Sequence, residues 1–528
     1  MGPLLGRLGG YLPAIVALAI PTVFIPSAED SFILPRVSIV IAGACLGVGV
    51  ALLAPGGLGL GRQRWPVAAA ALAAVVSFAL SISWPLSLAG AYSRYESLPV
   101  RLAYLGLFAA ATWLPRDRRA RDWVPPALVL GTSIACVEAI QEWLARVPFR
   151  PDGNLGNANL LAALVAMALP LAIARGVRSG RFVVVWWIAV AVMAAGLWVT
   201  TSRSGAMGAL AGCMALVVLS VRGRYATPAS VGSASVVVAA LAFIVLGPLR
   251  TLNDDPPALR LNLWRDGLRL VAARPLTGWG EDATGLSFGR FLSQDYASLV
   301  SFDRIHSGPL DVAATQGLLG LAATGWVLLV VAVAGWRWRH RPGVGPLIAA
   351  CAGYTAWVAF NFDWAPVTGV FWLLAGTAWS GIRAEKETLS PQFAARTNAV
   401  RSTVALVLAL ATVGLGALPL LADVWYLQGR ADLSVVADPL QARYHWGLGQ
   451  ALDARGSLSR GVEELKRAAD LGETTPGLYV ELGDREAQLG RGAEARAAYR
   501  RALEIDPYYT PAAQRLASMP PVPEVRVP

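Results

Sequence analysis

Thirteen apolar segments, each about 17 to 25 residues long, constrain this chain more than any other feature. They lie at roughly 11–27, 34–54, 67–86, 98–114, 124–144, 159–174, 182–200, 204–221, 228–247, 310–335, 345–361, 366–382 and 402–422. At 1.5 Å rise per residue, a helix of that length spans the ~30 Å hydrocarbon core of a bilayer. A length of 528 residues would otherwise suggest several soluble domains, but 55% hydrophobic residues and a mean hydropathy of +0.51 are too apolar for them. The expected fold class is all-α: a polytopic helical membrane protein with about twelve or thirteen transmembrane helices. The first segment has no small-residue cleavage site after it and is read as a span, not a signal peptide.

The formal net charge of +11 is carried almost wholly by arginine. Its arginines fall in short clusters between apolar runs and form no single basic face, so nucleic acid is excluded as a partner and topology explains the charge. Arg62/Arg64, Arg116/Arg118/Arg119/Arg121, Arg175/Arg178/Arg181, Arg222/Arg224, Arg337/Arg339/Arg341 and Arg383/Lys386/Arg396 occupy alternate loops. By the positive-inside rule these loops and the amino terminus are cytoplasmic. The long segment 248–309, the loop around Arg150, the turn at Arg203 and everything after residue 422 are then extracytoplasmic. The four cysteines lie singly inside apolar stretches, which indicates neither a disulfide framework nor a cysteine metal site. Asp254 and Asp255 are the one candidate metal pair; Pro256 and Pro257 after them favour a loop turn, and no cofactor is expected.

After the last span charged residues become frequent and a 34-residue period begins, with His445, Leu448 and Gly449 recurring as Tyr479, Leu482 and Gly483. Ala495, Tyr499, Ala502 and Pro507 complete the second copy in the tetratricopeptide pattern of small residues packed against large ones. Residues 423–515 are expected to form a small helical array with a groove for a protein partner, and 516–528 a disordered tail. Residues 1–422 are expected to form the membrane domain.

Four outward pieces carry polar groups that span packing does not require. Arg150 opens a turn in which Asn157 and Asn159 are placed to cap the following helix. Arg203 stands between two apolar helices, where an arginine is costly unless it has work to do. In 259–280, Leu261, Trp264, Leu268 and Val271 are placed on one helical face and Arg265 and Arg269 on another, as in a helix lying along a membrane surface. Around His306, Asp303, Arg304, His306 and Asp311 fall within nine positions just before an apolar helix.

These pieces, in this order, resemble the O-antigen ligase family of bacterial envelope glycosyltransferases, which includes O-antigen ligases, O-antigen polymerases and protein O-oligosaccharyltransferases. The resemblance is carried by Gly156-Asn157-Ala158-Asn159, Ser202-Arg203-Ser204-Gly205, Arg274-Pro275-Leu276-Thr277-Gly278-Trp279-Gly280, Asp303-Arg304-Ile305-His306 with Leu310-Asp311, and Gln316-Gly317-Leu318-Leu319-Gly320. Two departures stand out: Ser307 replaces the asparagine usual after the histidine, and the repeat tail is not part of the ligase core, expected here at about 150–382.

The resemblance implies a GT-C-like membrane enzyme of the bacterial inner membrane. It would move a glycan from a polyprenyl-diphosphate carrier to an acceptor hydroxyl on a glycan, lipid or protein, with inversion and without a metal. The residue types suit that chemistry. Planar guanidinium groups bind a diphosphate at two points, which selects Arg203, Arg265 and Arg304. An imidazole titrates near neutral pH, which selects His306 as the base. Asp363 resembles a polar position of the family, placed either to orient the histidine or simply to cap its helix end, and Arg150, Asn157 and Asn159 are placed to support the site. Ligase, polymerase and protein glycosyltransferase remain alternatives within the class. A transporter or flippase is the alternative outside it, disfavoured because the polar groups gather at one face and the membrane domain shows no repeated halves.

Overall fold

The computed structural model describes residues 9–53, 59–115, 118–178, 180–221, 226–246, 257–297, 301–383 and 399–520. Every regular element among them is helical. The membrane domain contains α1 (Leu12–Thr22), α2 (Ile33–Leu53), α3 (Arg64–Ala79), α4 (Leu98–Trp113), α5 (Val124–Leu144), α6 (Ala158–Arg178), α7 (Val183–Val199), α8 (Arg203–Ser220) and α9 (Ala226–Leu246). A further helix, α10 (Pro257–Ala273), is followed by α11 (Gly308–Arg337), α12 (Val344–Val358), α13 (Ala365–Arg383), α14 (Ala399–Thr412) and α15 (Leu418–Leu427). Each of the thirteen apolar segments is therefore helical, the last as α14 and α15 joined by a π-helical turn over Val413–Ala417. Among the described residues, seven helices are long and apolar enough to cross a membrane, and four further apolar helices are shorter.

Their packing follows burial. α13 is buried along its length, ringed by α2, α4, α6, α11 and α12, while the long helix formed by α14 and α15 leaves most of its surface for lipid. α6, α8 and α12 meet through small residues. A Cβ on Gly353 would lie 2.4 Å from the Ala166 carbonyl oxygen, so only glycine lets those backbones touch, the means by which transmembrane helices gain van der Waals contact where lipid supplies no hydrophobic drive. In α11 the helix is broken at Gly317, whose φ of 70° and ψ of −176° suit a residue without a Cβ.

Six helices follow the membrane domain: α16 (Ala431–Ala437), α17 (Ala442–Ala454), α18 (Leu458–Asp470), α19 (Pro476–Gln488), α20 (Gly492–Ile505) and α21 (Thr510–Ser518). α17/α18 and α19/α20 are antiparallel pairs. Gly483 lies against the Tyr499 ring, and Ala495 and Ala502 are fully buried, as the sequence pattern requires.

The repeats are seated on the membrane domain. Leu86, Ala283 and Leu286 share one apolar cluster with Ala442, Leu471, Leu478, Tyr479 and Ile505. Asp423 fastens the joint by accepting from Asp30 N (2.7 Å), Tyr92 Oη (2.7 Å) and Tyr444 Oη (3.0 Å).

Candidate active site

The site is built at the end of the bundle where α4, α6, α8, α11 and α13 begin. All seven non-glycine residues with positive φ among the described residues (Ser93, Tyr95, Arg146, Asn154, Thr201, Asp282 and His306) lie in loops at this end. Such conformations cost on the order of 1–3 kcal/mol each and persist where surrounding structure enforces them.

His306 has φ 57° at the turn leading into α11. Its half-buried ring lies between Phe302 (6.0 Å between centroids) and Phe362 (5.2 Å), and its carbonyl accepts from the Trp264 indole N–H at 3.3 Å. The preceding amide, Ile305 N, donates to Asp311 Oδ1 at 2.9 Å, so a carboxylate one turn into α11 ties down the turn that presents the histidine.

Arg203 arrives at the same region through helix register. α8 and α12 run antiparallel, with Gly212 against Ala349 and Gly208 against Gly353 and Trp357. The half-buried first residue of α8, Arg203, therefore comes beside the turn that follows α12, over 359–364. Arg260 of α10 donates to Phe360 O in this turn, and Phe362 touches His306. Ser202 caps α8 by accepting from Gly205 N at 3.2 Å and donates to Asn159 Oδ1 at 2.8 Å. Arg150 donates to Thr200 O at 2.8 and 3.1 Å and to Asn159 Oδ1 at 3.3 Å. Arg150 and Asn159 thus brace the Arg203 turn. Only Asn157 caps α6 as expected, accepting from Asn159 N at 2.8 Å.

Three expectations need correction. Asp363 does not meet His306: it accepts from Arg101 Nη1 at 2.6 Å and Tyr354 Oη at 3.0 Å. Arg304 is only 1% exposed and forms a buried ion pair with Asp282, a setting for a scaffold residue. Burial pulls its guanidinium below the ordinary arginine range, opposed by Asp311 and Glu96. On α10, Leu261 and Leu268 are exposed beside Arg265, whereas Leu263, Gly267, Leu270 and Val271 face inward, with Gly267 against Ile305. The apolar face is rotated from the one expected because packing on the His306 loop, not lipid, takes the buried positions. Asp254 and Asp255 lie outside the described residues.

Two of the quoted motifs are partners. At the Gly317 break, Leu318 N donates to Pro275 O (2.7 Å), Trp279 N to Ala314 O (2.9 Å) and Gly280 N to Thr315 O (3.0 Å). A Cβ on Gly278 would meet Thr315 O at 2.3 Å, and one on Gly317 would meet Leu276 O at 2.1 Å. The glycines serve this backbone pairing, which satisfies the amides and carbonyls freed by the break, as an apolar setting demands.

Beneath the His306 turn lies a buried ionic network that the sequence reading missed. Arg101 pairs with Glu281 (3.1 Å), Asp363 (2.6 Å) and Glu96 (3.8 Å); Gln316 donates to Glu281 at 2.6 Å and Tyr104 to Glu96 at 2.5 Å. Asp282 Oδ2 accepts from Ala91 N (2.8 Å) and Glu96 N (3.0 Å). Burial pushes the Glu96 carboxyl up to about 7, with the Arg101 charge opposing and the Asp363 charge assisting. Arg94 pairs with Asp303 at 2.9 Å and lies over the Phe362 and Trp364 rings. An arginine inside the apolar segment 98–114 was the available signal for Arg101; nothing local points to its partners.

The O-antigen ligase family model matches residues 188–325, from α7 into α11, and a tetratricopeptide repeat model matches 476–519. The first match includes Arg203, Arg265, Arg304 and His306. No curated protein matches the chain.

Proposed function

We propose that this chain, an O-antigen ligase-type membrane protein carrying C-terminal tetratricopeptide repeats, transfers a glycan from a polyprenyl-diphosphate carrier to an acceptor hydroxyl on the outer face of the bacterial inner membrane. The observation that carries this reading is the convergence of a conformationally enforced His306 and the helix-initial Arg203 on the 359–364 turn. His306 takes the proton of the acceptor hydroxyl. The acceptor oxygen then attacks the anomeric carbon from the face opposite the carrier, and the bond from that carbon to the diphosphate oxygen breaks with inversion. The departing carrier keeps the electron pair. Its growing charge is met by Arg203, with the exposed Arg265 at the rim, as preorganised cations stabilise charge that develops in a transition state. His306 then yields its proton to water. Arg304, Arg150, Asn159 and Asp363 act as positioning residues.

The repeats are seated at the same end as His306, which supports an acceptor or assembly partner with a polypeptide portion. The test is His306→Ala in membranes supplied with a lipid-diphosphate glycan. Transfer should fall by roughly 10²–10⁴ with donor binding nearly unchanged, and a fully active variant refutes the assignment.

A further inference from the structure

At the opposite end of the bundle, the turn at Gly61–Gln63 before α3 joins α11 and α13 in lining an open cavity of about 670 Å³. Arg62, Arg337 and Arg383 line one end of it. None of the described residues lining it is acidic. From Arg337 the wall climbs α11 through Val333, Leu329 and Trp326, residues that are 61%, 61% and 47% exposed and so leave about half of their surface uncovered by protein. Trp326 and Arg337 are eleven positions apart on the helix, about 16 Å at 1.5 Å per residue. That is the depth of one leaflet of a ~30 Å hydrocarbon core.

We propose that this cavity is a binding site for an anionic phospholipid of the leaflet on the arginine-rich side. The phosphate sits among Arg62, Arg337 and Arg383, and one acyl chain lies along the Trp326–Val333 wall. Cationic pockets between transmembrane helices recognise such headgroups by charge, with the chain adding apolar contact. Arg383 also donates to the Gly59 carbonyl, and the Trp379 indole N–H donates to Leu60 O at 3.2 Å, so the rim is held in shape by side-chain bonds to the backbone before a lipid arrives. A second basic cavity, beside Arg118, Arg121, Arg175 and Arg178, does not share these features. It is smaller, at about 240 Å³, and Asp122 within it pairs with Arg118 at 3.6 Å. The glycosyl-transfer reading is not needed for this inference, since no residue of the His306 region takes part.

The test is lipid retention by the purified full chain, read by native mass spectrometry after incubation with dioleoyl-phosphatidylglycerol or dioleoyl-phosphatidylcholine. The wild type should retain phosphatidylglycerol about tenfold or more over phosphatidylcholine. Arg62→Gln/Arg337→Gln, which leaves the Arg383 bond in place, should lose that preference. Val330→Trp, which fills the slot and keeps every arginine, should lose the bound lipid while its unfolding temperature stays near that of the wild type. Equal retention of the two lipids by the wild type, or an unchanged preference in the double variant, overturns the proposal. So does displacement of phosphatidylglycerol by an equal concentration of glycerol 3-phosphate, which would mean that the acyl chain contributes nothing.

Discussion

Arg101 on α4 and Glu281 in the segment between α10 and α11 lie 3.1 Å apart with both side chains almost wholly buried. The pair joins the membrane bundle to the stretch whose next residues, Ala283 and Leu286, carry the repeats. One guanidinium thereby organises three carboxylates from three separate parts of the chain. Replacing Arg101 with methionine leaves Glu96, Glu281 and Asp363 buried together and should cost on the order of 3–5 kcal/mol. A lowered unfolding temperature in detergent, partly restored by Glu281→Gln in the same chain, is the expected double-mutant result. Strict additivity of the two changes would show that the pair is not coupled.

Glu96 gives the fold a pH dependence of known sign. Burial pushes its carboxyl up to about 7 from the 4.5 of an ordinary glutamate, so the folded state binds the proton more tightly than the unfolded chain does. The contribution is therefore fully present below about pH 4.5, falls as pH rises from there to about 7, and is lost above it. A shift of that size corresponds to roughly 3 kcal/mol at most. Glu96→Gln should flatten this part of the stability profile, measured by thermal unfolding between pH 5 and 8.

The seating of the repeats depends on shape more than on charge. A Cβ on Gly289 would fall 2.0 Å from the Ile505 carbonyl oxygen, a backbone atom that cannot swing aside. Gly289→Leu should separate the repeats from the segment between α10 and α11 and expose 423–440 to protease. Arg290→Ala, which breaks only a half-exposed pair with Glu504, should leave the protease pattern unchanged, since such pairs contribute about 0–1 kcal/mol.

If Arg203 grips the diphosphate, Arg203→Lys should fail in transfer although it keeps the charge, because an ammonium lacks the planar two-point contact. Correct insertion, checked by normal expression and unfolding temperature, separates this result from a packing defect. Full activity would reduce Arg203 to a point charge.

Because arginines carry the leaving-group charge in the proposed reaction, a chelator should leave transfer by the purified enzyme intact. Loss of activity that a divalent cation restores would assign a role to Asp254/Asp255 or another acidic set.

The sequence by itself determined the helices and the repeats, because their signals are local. A run of apolar residues must be helical in lipid to satisfy its own backbone, and the Gly483–Tyr499 contact recurs at a spacing that the chain itself displays. It also brought His306 and Arg203 forward, since an imidazole and a guanidinium set beside apolar helices are costly unless they have work to do. Their surroundings were decided only by the tertiary structure. Asp363 directly follows Phe362, whose ring touches His306, yet it pairs with Arg101, which is 262 positions away in the chain. Arg304 and His306 are two residues apart, but one is sealed against Asp282 and the other half-exposed. Partner choice for a buried charge is settled by which opposite charge the packing of distant helices delivers to the same low-dielectric space, and one-dimensional spacing carries no information about that.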